Sequence, residues 1–158
     1  MKPNNLFQTQ GFTLLELMMA LVIFSIISVI GFGTYQQYLY KSRRTDGQTS
    51  LISLQLAQEQ YRNHCPQYAT ELGANSSCSQ NLSPTPDGQH TLSASAISTN
   101  HYYQLAIQAN SANSTSYILT ATAIGNQLGD SSCQILSIDQ SSNKSARTST
   151  GQIATDCW

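Results

Sequence analysis

Hydrophobic residues are unevenly distributed along this 158-residue chain, with one long run near the N-terminus and short alternating runs in the second half. From Phe12 to Phe32 almost every position is apolar, and Glu16 is the only formally charged residue between Phe12 and Tyr40. About 20 apolar residues are enough for an α-helix to cross a bilayer. The pattern therefore predicts a helix that is apolar on all sides, as a membrane span or a filament core requires. An ionisable residue inside such a segment indicates function, because its charge is costly there.

The helix is expected to continue to about residue 62, but its pattern changes after the basic segment Lys41-Ser42-Arg43-Arg44. From there the apolar residues form two stripes on nearly opposite faces. The first stripe consists of Leu51, Leu54, Ala57 and Tyr61, and the second of Ile52 and Leu56. One stripe can pack on a sheet. The other predicts a cover from the opposite side, either a partner helix in a filament or a second layer of the same domain.

The second half of the chain predicts an antiparallel sheet, and hence an α+β fold. Residues 64–89 contain several prolines and glycines but little periodicity, so they are expected to form a long connection. Three strand candidates follow at 102–107, 117–124 and 133–138, separated by turn-rich segments that favour a meander. The tail at 140–155 is rich in serine and threonine and has no buried pattern.

All four cysteines lie beyond the apolar run, which favours disulfides in an oxidising compartment. A zinc site would need closely spaced ligand pairs, and none of the four cysteines is spaced that way. A bridge between Cys65 and Cys78 would tie down the long connection. A bridge between Cys133 and Cys157 would anchor the tail.

Composition limits the functions that this chain can have. The formal net charge is −1 and charged residues make up 9% of the chain, against about a quarter in a typical soluble domain. Net charge therefore does not predict nucleic-acid binding. His64, His90 and His101 are dispersed, and no serine stands in a nucleophile motif. The sequence predicts no enzyme, no cofactor and no metal site.

The charges that flank the apolar run conflict with the compartment that the cysteines indicate. Lys41, Arg43 and Arg44 follow the run, whereas only Lys2 precedes it. Counting charges alone would place the C-terminal side in the cytoplasm. Disulfides in that part require the opposite orientation.

The segment Gly11-Phe12-Thr13-Leu14-Leu15-Glu16-Leu17-Met18 closely resembles the processing and polymerisation motif of type IV prepilins. The resemblance combines a short polar leader, a Gly-Phe junction, a glutamate one helical turn later and an unbroken hydrophobic helix. It implies that the chain is cut after Gly11 and that the new N-terminal residue, Phe12, is N-methylated. It also implies that Glu16 pairs with the N-terminal ammonium of a neighbouring subunit, which would set the register of assembly. It resolves the orientation as well, because prepilin leaders are cytoplasmic.

A second resemblance lies near the C-terminus. Gly129-Asp130-Ser131-Ser132-Cys133, Leu136-Ser137-Ile138-Asp139 and the final Cys157-Trp158 are similar to the C-terminal pattern of PilE-like minor pilins. Together the resemblances imply a type IV pilin fold, in which a long N-terminal helix packs on a small antiparallel β-sheet with a disulfide-closed C-terminal loop. The expected parts are a leader at 1–11, a transmembrane or filament-core helix at 12–40, and an amphipathic helix half with a globular head at 41–158.

The favoured function is that of a structural subunit, a minor pilin, of a type IV pilus. Two alternatives remain: a pseudopilin of a type II secretion system, and a DNA-binding minor pilin displayed on a filament for DNA uptake. For the second, Lys144 and Arg147 are the candidate phosphate contacts, and two cations predict weak binding with a shallow salt dependence.

The resemblance also implies the partners and the location of the protein. The expected partners are other pilin subunits, a prepilin peptidase, the inner-membrane assembly machinery and the membrane itself; nucleic acid is not the favoured partner. The expected location is the inner membrane, with the head in the periplasm, and then the pilus on the cell surface.

Overall fold

One α-helix, α1, dominates the first part of the chain. The computed structural model describes residues 11–78 and 90–158, and α1 covers Leu14–Arg62. Thr13 caps its N-terminus, because its Oγ1 accepts a hydrogen bond from the Glu16 amide at 3.2 Å. The predicted helix at 12–62 is therefore confirmed to within two residues.

The chain divides into two compact units, one ending at Gln37 and one covering Tyr38–Trp158. In the first unit the large apolar side chains of α1 are exposed, among them Phe12, Leu17, Phe24 and Ile27. By length and composition this helix can cross a membrane, and none of its most apolar stretch is buried. Such a surface is unstable in water and needs lipid or other helices around it.

The second unit, which we call the head, combines the C-terminal half of α1 with short strands. Within the described residues these strands are β1 (Glu71–Gly73), β2 (Ser77–Cys78), β3 (His90–Ser93), β4 (Tyr103–Ile107), β5 (Ile118–Ala123), β6 (Ile135–Asp139) and β7 (Lys144–Arg147). A sheet in the order β4-β5-β6-β7 is antiparallel throughout. A smaller sheet has the order β1-β3-β2, with β1 parallel to β3.

The core lies between one face of α1 and the four-stranded sheet. Leu51 and Leu54 are buried on the helix side, and Leu119 and Leu136 on the sheet side. Gly47 lets the two layers approach closely, because a Cβ at this position would lie 3.0 Å from the ring of Tyr103. The predicted α+β fold, with its helix on an antiparallel sheet, is confirmed.

Both edges of the four-stranded sheet are covered by irregular segments. At the β4 edge, Leu105 donates to the Ala96 carbonyl at 2.8 Å, and Ile97 forms a bridge with Gln104. At the β7 edge, Arg147 forms a bridge with Ile153, and the Ala154 amide donates to the Ala146 carbonyl at 2.9 Å. Neither edge is left as a row of unpaired backbone groups.

The structure corrects three expectations. The connection at 64–89 contains β1 and β2 within its described part, although residues 79–89 lie outside the described residues. The tail at 140–155 contains β7 and the segment that pairs with it. The described residues of the head do not cover the second apolar stripe on α1, since Ile52 and Leu56 are 50% and 61% exposed.

Two disulfides close irregular parts of the head. Cys65 is joined to Cys78, with Cα atoms 5.8 Å apart, and Cys133 to Cys157, with Cα atoms 5.6 Å apart. The second bridge closes the C-terminal loop, as the expected fold requires. It also brings the last residues of the chain back to the start of the head.

Candidate functional site

The N-terminal candidate residues occupy the start of α1. Gly11 and Phe12 precede the helix, and the Phe12 side chain is 84% exposed. Glu16 is exposed in the first turn, and within the described residues its carboxylate takes part in no ion pair. A carboxylate in the first turn interacts favourably with the helix dipole. It also remains available to a positive group supplied by another molecule.

A salt bridge fastens α1 to the loop before β6. The Arg44 guanidinium donates from Nε to Asp130 Oδ2 at 2.6 Å and from Nη2 to Asp130 Oδ1 at 2.8 Å. Both side chains are largely buried, with 14% and 4% of their surfaces exposed. The hydrogen bond with Asp130 raises the pKa of Arg44 above its usual value, so the pair stays charged. Gln127 supports the pair by donating from Nε2 to Asp130 Oδ2 at 3.2 Å.

The same region of α1 also holds the C-terminal tail. Arg44 Nη1 donates to the Asp156 carbonyl at 3.3 Å, and Gln48 Nε2 donates to the Cys157 carbonyl at 2.9 Å. The tail is thus fixed by the Cys133–Cys157 disulfide and by side chains of the helix. This attachment determines where the last side chain, Trp158, is placed.

Trp158 lies against the edge strand β7 and contacts one of the candidate cations. Its indole Nε1 donates to the Ser145 carbonyl at 2.9 Å, and Lys144 Nζ lies 5.0 Å from the ring centroid. An ammonium at that distance over an indole makes a favourable cation–π contact. The contact places a positive charge and a partly exposed aromatic ring side by side.

The structure separates the two candidate cations of the tail. Lys144 of β7 lies opposite Ile138 of β6, which is buried, and Arg147 lies opposite Ile135. Lys144 and Arg147 are therefore separated by an odd number of positions along the strand. Because successive side chains alternate between the faces of a strand, Lys144 and Arg147 point to opposite faces of β7. Arg147 instead donates to the Gly151 carbonyl at 3.1 Å. The sequence offered Lys144 and Arg147 as candidate phosphate contacts; in the structure Lys144 lies against the ring of Trp158.

The other cations of the head differ in how they are engaged. Arg43 lies 4.9 Å from the ring centroid of Tyr102, and Arg62 donates to the Cys65 carbonyl at 2.8 Å. Lys41 lines a cleft of about 340 Å³ together with Trp158. Within residues 11–78 and 90–158, the Arg44–Asp130 pair is the one salt bridge.

Sequence reasoning missed the contribution of Trp158. The sequence analysis used the terminal Cys-Trp only as part of a resemblance, and it gave Lys144, with Arg147, as a candidate phosphate contact without an aromatic partner. The missing information was the path of the tail, which carries Trp158 back along β7. One signal was available in the sequence. Trp158 directly follows Cys157, and the expected bridge from Cys157 to Cys133 would bring Trp158 close to the last predicted strand.

A separate polar cluster is buried beside the Cys65–Cys78 disulfide. His90 is fully buried, and its Nδ1 lies 3.3 Å from the Tyr61 hydroxyl, which itself donates to the Ser77 carbonyl. Since the hydroxyl proton is used on Ser77, the His90 ring donates from Nδ1, and Nε2 is the bare nitrogen. Among the described residues, Nε2 has no hydrogen-bond partner. Burial lowers the pKa of His90 and raises that of Tyr61 to about 12, so both groups are neutral near pH 7.

Comparison with known proteins gives two matches to family models. Residues 33–137 match a model described as "Type IV minor pilin ComP, DNA uptake sequence receptor". Residues 7–32 match a model described as "Prokaryotic N-terminal methylation motif". No curated protein matches the chain. The first match covers more than half of the chain and ends before β7, so Lys144 and Trp158 lie outside it.

Proposed function

This chain belongs to the type IV minor pilin family described as ComP, DNA uptake sequence receptor, and from that premise we propose that its head binds DNA at the pilus surface. As a member of this family the protein is a minor pilin. The receptor function in the family description makes DNA binding, an alternative from the sequence alone, the favoured specific function. The family match also favours a pilus over a secretion pseudopilus.

The observation that carries the DNA-binding proposal is the contact between Lys144 and Trp158. Phosphate contacts from lysine position a protein on DNA, and an aromatic side chain adds a surface on which bases or sugars can pack. The indole is held by Ser145 and by the tail, so little freedom is lost when DNA binds. Arg147 on the opposite face of β7 can reach a second phosphate along the same edge.

Few cations are available, so the proposed interaction is modest and depends on salt. With two or three phosphate contacts, the slope of log K against log salt concentration should be about −2 to −3. Display of several subunits on one fibre would raise the apparent affinity through multivalency. A receptor with few phosphate contacts also has little non-specific binding, which favours recognition of a sequence over capture of any DNA.

The experiment uses the full-length protein in detergent and a random-sequence library of short DNA duplexes. The duplexes that bind are enriched, and the affinity of the best one is then measured by fluorescence anisotropy over a salt series. We expect Lys144→Gln to weaken all duplexes nearly uniformly and to reduce the salt slope by about 1. Arg62→Gln is the matched control, because it also removes one positive charge. Arg62 lies about 27 Å along α1 from Arg44, the helix residue that holds the tail. Unchanged binding by Lys144→Gln, or equal loss in the control, would refute the proposed surface.

The N-terminal residues support the proposed route of this subunit into a filament. A peptidase cuts after Gly11, Phe12 is methylated, and the exposed α1 exchanges lipid for the helices of other pilins. Apolar packing alone gives adhesion without register, because lipid tails are as apolar as leucine. The Glu16 carboxylate supplies the register when it pairs with the Phe12 ammonium of a neighbour.

The proposed topology places the leader in the cytoplasm and the head in the periplasm before assembly by inner-membrane machinery. The disulfides of the head and the candidate membrane span of α1 support this arrangement. The methylation-motif match at residues 7–32 supports processing at the start of the same helix.

A further inference from the structure

Two unpaired charges of opposite sign line one cleft at the start of the head. The cleft, of about 340 Å³, is bordered by Tyr38, Lys41, Asp156 and Trp158. Lys41 and Asp156 are both exposed, and within the described part of the chain neither belongs to a salt bridge. They therefore face the same space without neutralising each other.

The position of this cleft along the chain places it close to the membrane span. Tyr38 follows Phe32, the last residue of the apolar run, by six residues, and six residues of chain can span at most about 20 Å. A bilayer is about 30 Å thick in its hydrocarbon core and about 40 to 45 Å with its headgroups. This short separation in sequence makes Tyr38 and Lys41 candidates for contact with the headgroup layer.

The side chains around the cleft are of the types that favour a membrane interface. Tyrosine and tryptophan concentrate at headgroup level, where one end of the ring is apolar and the other is wet. Tyr38 is 70% exposed, and Trp158 is partly exposed. A lysine can extend its apolar stem along such a surface and place its ammonium among phosphates.

The backbone of the tail fixes the negative side of the cleft. Asp156 has a left-handed conformation, with φ at 61°, which aspartate and asparagine tolerate better than most residues. The Arg44 contact with the Asp156 carbonyl and the neighbouring disulfide at Cys157 hold this turn in place. Asp156 is thus held at the border of the cleft that Lys41 also lines, and its Oδ2 accepts a hydrogen bond from the Thr155 hydroxyl at 3.5 Å.

We propose that this cleft binds the headgroup of a zwitterionic aminophospholipid while the subunit is still in the membrane. Lys41 contacts the lipid phosphate, Asp156 accepts hydrogen bonds from the primary ammonium, and the rings of Tyr38 and Trp158 border the headgroup. A headgroup that carries both charges complements a cleft that carries both, whereas a purely anionic headgroup would meet Asp156 unfavourably. Phosphatidylcholine should bind less well, because its quaternary ammonium has no N–H to donate to the Asp156 carboxylate.

This assignment also bears on the conflict between the flanking charges and the expected orientation, because it accounts for two of the three cations, Lys41 and Arg44. Cations directly after a membrane span normally favour the cytoplasmic side. Arg44 is neutralised inside the head by Asp130. Lipid phosphate neutralises Lys41, so its charge is matched on the side where the disulfides form. The lipid is released when the subunit leaves the bilayer, so the cleft is occupied only while the subunit waits in the membrane before assembly.

The single tryptophan of the chain provides a probe without any label on the protein. The full-length protein is reconstituted into phosphatidylcholine vesicles that contain an equal small fraction of one spin-labelled lipid, with the label near the headgroup end of the acyl chain. The labelled lipid has a phosphatidylethanolamine, phosphatidylcholine or phosphatidylglycerol headgroup. Quenching of Trp158 fluorescence then reports which headgroup lies next to the cleft.

We expect labelled phosphatidylethanolamine to quench Trp158 roughly twofold or more above labelled phosphatidylcholine, as a preference from one charge-assisted contact would give. Asp156→Asn keeps the left-handed turn but removes the charge, so it should abolish this preference. Lys41→Gln should lower quenching by all three lipids. Arg62→Gln, which removes a charge outside the cleft, should be quenched like the parent. Arg44→Gln is not used, because it removes the contact that holds the Asp156 turn and lowers the stability of the head.

Two outcomes would overturn the proposal. Equal quenching by phosphatidylethanolamine and phosphatidylcholine in the parent would show that the ammonium is not recognised. Strongest quenching by phosphatidylglycerol, or a preference that persists in Asp156→Asn, would show that the cleft does not read a zwitterion. Because no DNA is present, either result is independent of the DNA-binding proposal.

Discussion

Arg44 and Asp130 are 86 residues apart in the chain, yet they are joined by two parallel hydrogen bonds of 2.6 and 2.8 Å. The pair connects α1 to the loop that contains Cys133, and Arg44 also holds the Asp156 carbonyl. One guanidinium therefore links the helix, the last disulfide loop and the tail. The DNA surface and the lipid cleft proposed above both depend on this attachment.

The first prediction concerns the loss of this pair. Arg44→Gln leaves the Asp130 carboxylate buried without a cation, which should lower the free energy of unfolding by about 3 to 5 kcal/mol. Urea unfolding followed by Trp158 fluorescence measures the change. Arg43→Gln, which removes a neighbouring charge outside any salt bridge, should cost much less. Similar costs for the two variants would mean that the Arg44–Asp130 pair adds nothing to stability.

The second prediction concerns the two disulfides, which close loops with sequence separations of 13 and 24 residues. Loop-entropy estimates give about 3 and 3.5 kcal/mol of stability respectively. Replacing Cys133 and Cys157 together should also release Trp158 and weaken DNA binding, whereas replacing Cys65 and Cys78 should not. Non-reducing peptide mapping checks the pairing, and a peptide that joins Cys65 to Cys133 would contradict it.

The third prediction is that the mature chain begins with N-methylated Phe12. The Gly11–Phe12 bond precedes the helix, where a peptidase at the membrane surface can reach it. Intact-mass measurement of protein extracted from membranes should give the mass without residues 1–11 plus one methyl group. A mature chain that still begins at Met1 would rule out processing at this site.

The fourth prediction separates an assembly function of Glu16 from simple membrane anchoring. Glu16→Leu removes a costly charge, so membrane insertion should be unchanged or better. Incorporation into sheared pili should nearly disappear, because the Phe12 ammonium of a neighbour then loses its partner at a cost of about 3 to 5 kcal/mol.

Glu16→Gln is the matched variant for this test, since it keeps the shape of the side chain and loses only the charge. It should fail in incorporation like Glu16→Leu, while cleavage after Gly11 continues in both. If tagged subunits with either substitution enter pili at the parental level, the carboxylate does not direct assembly.

The fifth prediction is a pH dependence that arises at His90. Burial lowers the pKa of this ring in the folded head, and within residues 11–78 and 90–158 its Nε2 has no hydrogen-bond acceptor. The neutral ring is therefore favoured by folding, and this contribution is fully present above the unfolded-state pKa of about 6.5. It is lost as the pH falls from there through the lower folded-state pKa, because the unfolded chain binds the proton more readily.

Unfolding curves measured from neutral to mildly acidic pH check this sign. The parent should lose stability over that range, and His90→Gln, which cannot take up a proton, should show a flatter profile even if it is less stable throughout. Identical pH slopes for the two proteins would exclude His90 as the titrating group.

The long elements of the head were predictable because each carries a sustained pattern. The helix has apolar residues at helical spacing, and β5 alternates buried residues with partly buried or exposed ones over Ile118–Ala123. The strands β1, β2 and β7 have two to four residues each. Such strands are too short for a period to be recognised, and they exist because tertiary partners complete their hydrogen bonds.

The candidate site was predictable only where its chemistry is local in sequence. Gly11, Phe12 and Glu16 lie within six consecutive residues, so a motif can contain them. The contact between Lys144 and Trp158 depends on the disulfide at Cys157 and on pairing of the tail with β7. Alternation along β7 also separates Lys144 from Arg147, which a count of charges does not show.

The covered edges of the four-stranded sheet should keep heads from aggregating through their sheets when many copies are close together. Unpaired strand edges can join the edge of any other sheet, a route to aggregation that grows with local concentration. Here residues 96–97 occupy the β4 edge, and Ile153 and Ala154 occupy the β7 edge. Many copies can therefore be stored side by side or stacked along a fibre without their sheets fusing. Association is left to α1, whose apolar side chains are exposed.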